Sequence, residues 1–335
     1  MCMHSFSKNY FCLSYNNIIS TENLLEAWNI FKKGKKNKLD IIEFEFNLMN
    51  NILDLHNSLK NKDYKHGSYE HFKVNDPKLR DIHKASVRDR LLHHAIYKIL
   101  YPLYDKKFIA DSYSCRNNKG TYKAIKRFKK FTRCVSNNYT TQCYILKCDI
   151  KKFFASVDHN ILIKILEKKI GDRDILELLI NIISSFGPGL PLGNLTSQLL
   201  VNIYMNEFDQ YIKHNLKVKY YIRYADDFVF VSDGKNYLEL VRQKCEAFLT
   251  LNLKLSLHPK KCFIRTIYSG IDFLGWVHFP NHRVLRNTTK RRIFRRVSEE
   301  NLASYLGLLK HGNAHNIGEE ILEKVTCKKC ENMLI

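Results

Sequence analysis

No run in this chain approaches the roughly 20 apolar residues that a membrane-spanning helix needs, so a helical membrane protein is set aside and no membrane partner is expected. The first 20 residues lack a basic start followed by an apolar core, so no secretory signal is read. Ten cysteines are present, but without regular spacing; that argues against a disulfide framework and for free thiols in a reducing, cytoplasmic compartment. No internal repeat or long low-complexity linker breaks the chain. Acid is also scarce, with 33 Asp and Glu against 55 Lys and Arg.

What remains is globular and strongly basic. Hydrophobic content of 45% over 335 residues suffices for a sizeable core, read as two or three subdomains around one active site. The formal net charge of +22 costs self-repulsion that an anionic polymer relieves, so nucleic acid is the leading partner class. A basic surface without a dedicated ligand is the bland alternative. In Tyr122-Lys-Ala-Ile-Lys-Arg-Phe-Lys-Lys-Phe131 the cations recur among aromatics. On a helix they sort into a cationic and a packed face, fitting either a backbone-tracking groove or a solvated amphipathic helix.

Residues 21–60 read as two helices around the basic turn 32–38, the first with an apolar stripe of Leu24, Leu25, Trp28 and Phe31. Extended segments are expected over 68–84 around Asn75-Asp-Pro77, then a helix from Val87 to about Tyr101, ended by Pro102. From Cys143 the predicted order is strand, helix, helix, loop, helix, hairpin, helix, strands. Asp158 is the expected N-cap of a helix over 161–169, and a long helix is expected over about 195–214. After Pro280 the chain turns basic, with helices expected over 283–296 and 302–309.

Scarce as acids are, two stand side by side at Asp226-Asp227, between the strand-like runs Tyr220-Tyr-Ile-Arg-Tyr224 and Phe228-Val-Phe-Val231. Strand–turn–strand geometry would hold them at an exposed tip. Adjacent carboxylates repel, and a divalent cation with oxygen ligands is the usual relief. Taken alone, the pair is also ordinary turn chemistry. A third carboxylate, Asp149, ends the run Tyr144-Ile-Leu-Lys-Cys-Asp149. Together they suggest two-metal phosphoryl transfer, in which ions about 3.5–4 Å apart need bridging acids. Asp149 and Asp226, on adjacent strands, are the expected bridging pair, with Asp227 pointing to a different side.

Six segments then stand in the order found in reverse transcriptases, and the chain resembles that family over about residues 68–312. They are Ser86-Val-Arg-Asp-Arg90, Asp111-Ser-Tyr-Ser-Cys-Arg116, Leu146-Lys-Cys-Asp149-Ile-Lys-Lys-Phe-Phe154, Gly189-Leu-Pro-Leu-Gly193-Asn-Leu-Thr-Ser-Gln198, Tyr224-Ala-Asp226-Asp227 and Gly270-Ile-Asp-Phe-Leu-Gly275-Trp. The resemblance implies an α+β right-hand polymerase. Its parts would be an N-terminal helical extension (1–67), fingers (68–142), a palm with an antiparallel catalytic sheet (143–280) and a basic helical thumb and tail (281–335). It also implies RNA-directed DNA polymerase activity with two magnesium ions, manganese being a substitute.

Carried over by position, Asp149 and Asp226 match the metal ligands, Asp227 the third acid, and the Ile150 backbone carbonyl would complete one ion's shell. Phe154 matches the ring that lies under the sugar and excludes a 2′-hydroxyl, its alternative being a core aromatic. Lys73 and Arg80 match the fingers positions that hold the dNTP triphosphate, with Lys78 as an alternative to Lys73. Arg116 faces the nucleotide or template, or else is a structural ion-pair partner. Lys260 or Lys261 approaches the primer or the triphosphate. Leu192 and Gln198 belong to the nucleotide pocket, and Gly193 to the primer–template contact.

The loop at 189–198 departs from reverse transcriptases of group II introns and retrons, which have Gln-Gly, three variable residues and Ser-Pro. Here Leu192 replaces the Gln and Gln198 the Pro. That pattern, with the thumb-like Ser304-Tyr-Leu-Gly-Leu-Leu-Lys-His311-Gly-Asn313, resembles enzymes of diversity-generating retroelements. Those copy a template repeat RNA with errors opposite adenine and work with a small, basic accessory protein. The implied partners are template RNA, cDNA or primer, dNTPs and such a protein, in a bacterial or phage-encoded setting. A reverse transcriptase of phage defence or of an unclassified element, and an inactive RNA-binding scaffold, are the alternatives; the three acids speak against the last. His311, His315, Cys327 and Cys330 are zinc-ligating residue types, but their places in a thumb motif and a tail make structural roles the expectation.

Overall fold

The computed structural model describes residues 13–75 and 79–333, with side chains to Cys327. The chain opens on α1 (Tyr15–Ile19) and α2 (Thr21–Phe31), joined at Ser20, whose hydroxyl accepts the Asn23 amide. Leu24, Trp28 and Phe31 are buried as their spacing predicts, while Leu25 is only half-buried. The second expected helix is two, α3 (Leu39–Phe46) and α4 (Leu48–Lys60). Asn47 breaks it at φ −112°, ψ 35°, and the Asn51 side chain donates to the Phe44 carbonyl at 2.9 Å, satisfying a helix-end acceptor.

An antiparallel hairpin of β1 (Glu70–Asn75) and β2 (Leu79–Lys84) follows; the expected turn at Asp76-Pro77, and Lys78, lie outside the described residues. α5 (Val87–Asp105) runs through Pro102 rather than ending there. The proline sits in the last turn, so its missing N–H deprives only the Lys98 carbonyl of a partner before the helix stops anyway. α6 (Thr121–Val135) then leads to β3 (Tyr144–Asp149).

β3 lies inside a four-stranded antiparallel sheet of order β4-β5-β3-β6, with β4 (Tyr221–Tyr224), β5 (Asp227–Ser232) and β6 (Phe263–Thr266). Strand alternation sorts the two faces. Leu146, Cys148, Phe228 and Phe230 enter the main core, shared with α7 (His159–Glu167), α8 (Arg173–Ser184), α9 (Leu195–Gln210) and α10 (Lys235–Leu253). Ile145, Val229 and Val231 face the other way, into a smaller core with Ala124, Phe128 and Phe131 of α6. Asp158 caps α7 by accepting the Ile161 amide, as expected, although the helix starts at His159. α9 is buried on most of its surface, including the polar Thr196, Ser197, Asn202 and Asp209, as a helix threading a core is, and it gives way to a π-turn at Tyr211–Asn215.

The C-terminal part begins with a strand where a helix was expected. β7 (Ile271–Phe273), β8 (Trp276–His278) and β9 (Arg283–Leu285) form a three-stranded sheet, because Arg283-Val-Leu285 pairs residue for residue with His278-Val-Trp276. Helices α11 (Asn287–Arg296), α12 (Glu299–Leu309) and α13 (His315–Met333) pack on Trp276 and Leu285 through Ile293, Leu309 and Ile321. Gly312 permits this contact: a Cβ there would lie 2.0 Å from the Trp276 ring. No described helix is long and apolar enough to cross a membrane. The seven cysteines among the described side chains are free thiols.

Candidate active site

Backbone register builds the acid cluster. Asp149 at the end of β3 lies directly opposite Asp227, the first residue of β5. Tyr224 also pairs with Asp227, leaving Ala225-Asp226 as a two-residue hairpin turn. Ala225 takes φ +55°, a left-handed position usual for glycine, so the turn stores strain of order 1 kcal/mol. The Ile150 amide donates to the Asp226 carbonyl at 3.1 Å, tying the turn to the end of β3.

Two expectations change here. The acids are not at an exposed tip: the Asp149 and Asp227 side chains are only 16% and 19% exposed. And Asp227, expected to point away, shares a sheet face with Asp149 as its cross-strand partner, whereas Asp226 occupies the turn.

Burial raises the Asp227 carboxyl to about 7; Lys147 opposes that rise, and Asp226 and Asp149 add to it. Burial, then repulsion from Asp149, also raises Asp226, against the pull of Lys261 and Arg80. Lys147 Nζ lies 3.4 Å from Asp227 Oδ2 and donates to the Asp272 carbonyl at 2.6 Å, while Lys261 Nζ holds Asp149 Oδ1 at 2.7 Å. Asp227 Oδ1 is buried with no hydrogen-bond partner.

Sequence reasoning missed Arg223, which supports the turn from below. It is fully buried, and its Nη2 meets Asp209 Oδ2 at 2.7 Å. The same guanidinium donates to Asn202 Oδ1, Ser112 Oγ and the Ala225 carbonyl, so α9 and the 112 segment both brace the strand before the acids. The sign in the sequence is an arginine directly after the buried strand residues Tyr221 and Ile222.

The other expected residues divide. Lys261 reaches Asp149, whereas Lys260 is exposed on the turn beside it. Arg80 lies near enough to Asp226 to act on its ionisation. Lys73 does not share Arg80's side of the hairpin: it pairs with Asp81 while Arg80 pairs with Val74, so the two project from opposite faces. Of its two readings, Arg116 takes the ion-pair one. Its Nε binds Asp105 at 2.7 Å, its other nitrogens bind the carbonyls of Asp105, Ile109 and Ser112, and the side chain is 5% exposed. It clamps the loop after α5 and has little left for a nucleotide.

Phe154, half-buried against the main core, lies in the short turn after β3, and its carbonyl accepts the Leu190 amide at 2.8 Å. Gly189, at φ +82°, permits that approach, since a Cβ would lie 2.4 Å from the Phe154 oxygen. The Leu192 carbonyl accepts the His83 amide at 3.0 Å, and Gly193 lies against Ile82, so the loop bridges the Phe154 turn and β2. Gln198 is half-buried in the first turn of α9. His311 lies tilted against Tyr122 and His315 lies 3.5 Å from Glu319, while the Cys330 side chain lies outside the described residues.

The recess suits a hard divalent cation by its donor set, its mutual repulsion and its orphaned Asp227 oxygen. Among the described residues, no three His, Cys, Asp or Glu side chains already gather as a metal cluster. Lys147 and Lys261 each engage one acid instead.

The profile of the family "Reverse transcriptase (RNA-dependent DNA polymerase)" matches residues 65–278, more than half of the 335. This chain belongs to the reverse transcriptase family. It is 28% identical to protein YkfC of Escherichia coli over 264 residues, covering 66% of this chain and 67% of that protein. To the group II intron-encoded protein LtrA of Lactococcus lactis it is 23% identical over 292 residues, covering 66% of this chain and 47% of LtrA. It thus spans two thirds of one relative and about half of the other. Among solved structures, Candida albicans telomerase, determined with a fragment of telomeric RNA, superposes with a TM-score of 0.52 at 12% identity. That match covers 74% of this chain and 51% of the telomerase chain, and the shared fold is that of right-hand polymerases.

Proposed function

We propose that this member of the family is an RNA-directed DNA polymerase whose catalytic centre is the recess of Asp149, Asp226 and Asp227. The observation that carries it is the register that sets Asp149 opposite Asp227 with Asp226 in the adjoining turn. Asp149 and Asp226, with the Ile150 carbonyl, would hold divalent ions, magnesium or in its place manganese, and Asp227 would be the third acid. Such ions make a primer hydroxyl more acidic and offset charge on the leaving pyrophosphate. Lys261 guards Asp149 until a cation takes over the carboxylate, and then stands ready for an anionic substrate. Arg80 offers a planar fork to the triphosphate at the same recess, and Phe154 limits the sugar. In this reading residues 1–67 are an extension, 68–142 fingers, 143–280 palm and 281–335 thumb, with the three-stranded sheet straddling the last boundary. Primer extension on an RNA template with magnesium tests it: wild type extends and Asp226→Ala does not. Synthesis unaffected by that change would sink the reading.

The finer reading is a diversity-generating enzyme, error-prone at template adenine and working with a small basic accessory protein. It is supported by Leu192, in a loop that spans from the Phe154 turn to β2, and by Gln198 in the first turn of the helix that follows. An apolar Leu192 offers no polar contact to a nascent base pair, so mismatches there meet less resistance. Leu192→Gln should lower misincorporation opposite adenine several-fold in sequenced cDNA. An unchanged error spectrum would refute this assignment and leave the polymerase reading standing.

A further inference from the structure

Along α6, the β8–β9 turn and the α12–α13 turn enclose a cleft of about 680 Å³ that none of the three acids lines. Its charged groups are Lys126, Lys129, Arg283 and Lys310, and no carboxylate lines it. Two ring pairs, one tilted and one stacked, form part of its walls. Tyr122 lies on His311 with centroids 3.7 Å apart, and Phe279 on His282 at 4.9 Å and 13°. Tyr122 is 42% exposed, so ring surface stays open to a ligand.

Helical periodicity produces this surface. Tyr122, Lys126, Lys129 and Arg133 recur at steps of four, three and four, one face of α6, while Ala124, Ile125, Phe128 and Phe131 are buried on the other. The stripe runs on into an adjoining groove of about 510 Å³ that shares Lys126 and Lys129 and adds Lys130, Arg133, Asn137 and Asn138. Like charges one helical turn apart, such as Lys126 and Lys130, destabilise the helix that carries them. An anion relieves them, and the length of the track fits a chain of phosphates rather than one.

We propose that this cleft and groove form a second nucleic-acid site, which holds a segment of single-stranded RNA outside the catalytic recess. Cations follow the backbone while exposed rings accept base faces, which a duplex would hide. None of the three acids lines the cleft or the groove. The choice of RNA over DNA rests on the RNA-templated reading above; the site itself does not.

The full chain, in EDTA, is first saturated with an RNA–DNA template–primer duplex. It is then titrated with a fluorescein-labelled, non-complementary RNA of about a dozen nucleotides, a length set by typical single-strand site sizes. Anisotropy should report uptake of the strand alongside the duplex. The double variant Lys126→Glu/Lys129→Glu should weaken that uptake at least tenfold, and Tyr122→Ala, on the exposed face, about tenfold. The Tyr122 change keeps the test valid if the charge reversal unfolds the chain. Duplex affinity and primer extension are measured separately, so their failure with strand uptake intact counts against the polymerase reading alone. The proposal is overturned if duplex displaces the strand from wild type, or if folded variants bind the strand as well as wild type does. It is equally overturned if polyglutamate of equal charge competes as well as unlabelled RNA.

Discussion

The acid recess and the cleft along α6 carry opposite chemistry on one face of one sheet. At the Asp149 end, two carboxylates from neighbouring strands share a recess with a third in the adjoining turn, in a protein of net charge +22. Over the same face, α6 presents lysines and rings to a cleft without acid. Along β3 the alternation Ile145, Lys147, Asp149 passes from core to cation to acid over three positions. The acid end is set by strand register, which fixes neighbours to within one residue. The cationic end is set by helical periodicity, which yields a stripe rather than a point. That difference suits one end to hold a compact ion and the other an extended polymer.

The acid end depends on a buried support that the cationic end lacks. Asp209→Ala would leave Arg223 buried and unpaired, so it should destabilise the fold by about 3–5 kcal/mol in urea denaturation. Replacing both partners by apolar residues should recover most of the loss. If Asp209→Ala costs no more than a surface substitution, the turn is braced some other way and the contrast between the ends weakens.

A smaller effect sharpens the comparison through pH. Asp227 is raised to about 7 in the fold. Between roughly pH 4 and 7 the metal-free folded state therefore binds more protons than the unfolded state, and stability falls as pH rises through that window. Asp227→Asn should raise the metal-free Tm by about 3 °C at pH 8 and change it little at pH 4. An equal shift at both pH values would mean that burying the charged carboxylate costs the fold nothing.

Legibility in the sequence followed the range of the interaction. Asp149, Asp226 and Asp227 were readable because each stands at the end of a strand-like run, yet the register that makes Asp227 the partner of Asp149 is a pairing between strands about 80 residues apart. Arg116 stayed open between a nucleotide contact and an ion pair because spacing cannot show that Asp105 and three carbonyls already occupy it. Arg223 was overlooked for the same reason, its partner Asp209 lying on α9. Pro102 misled because a proline in a last turn removes little, and β9 because three residues carry too short a pattern to tell strand from helix. The order of helices and strands from Cys143 to β6 was legible throughout, since each element there is long enough to show its period.

The claim on which the rest depends is that the recess is a cation site. Its most direct test is the thermal midpoint of the full chain at pH 8 as magnesium is titrated, for wild type and for Asp149→Asn, without nucleic acid. Magnesium should raise the wild-type Tm by several degrees, by relieving repulsion among three carboxylates, and should do little for the variant. An equal rise in both proteins, or none in wild type, would contradict the account.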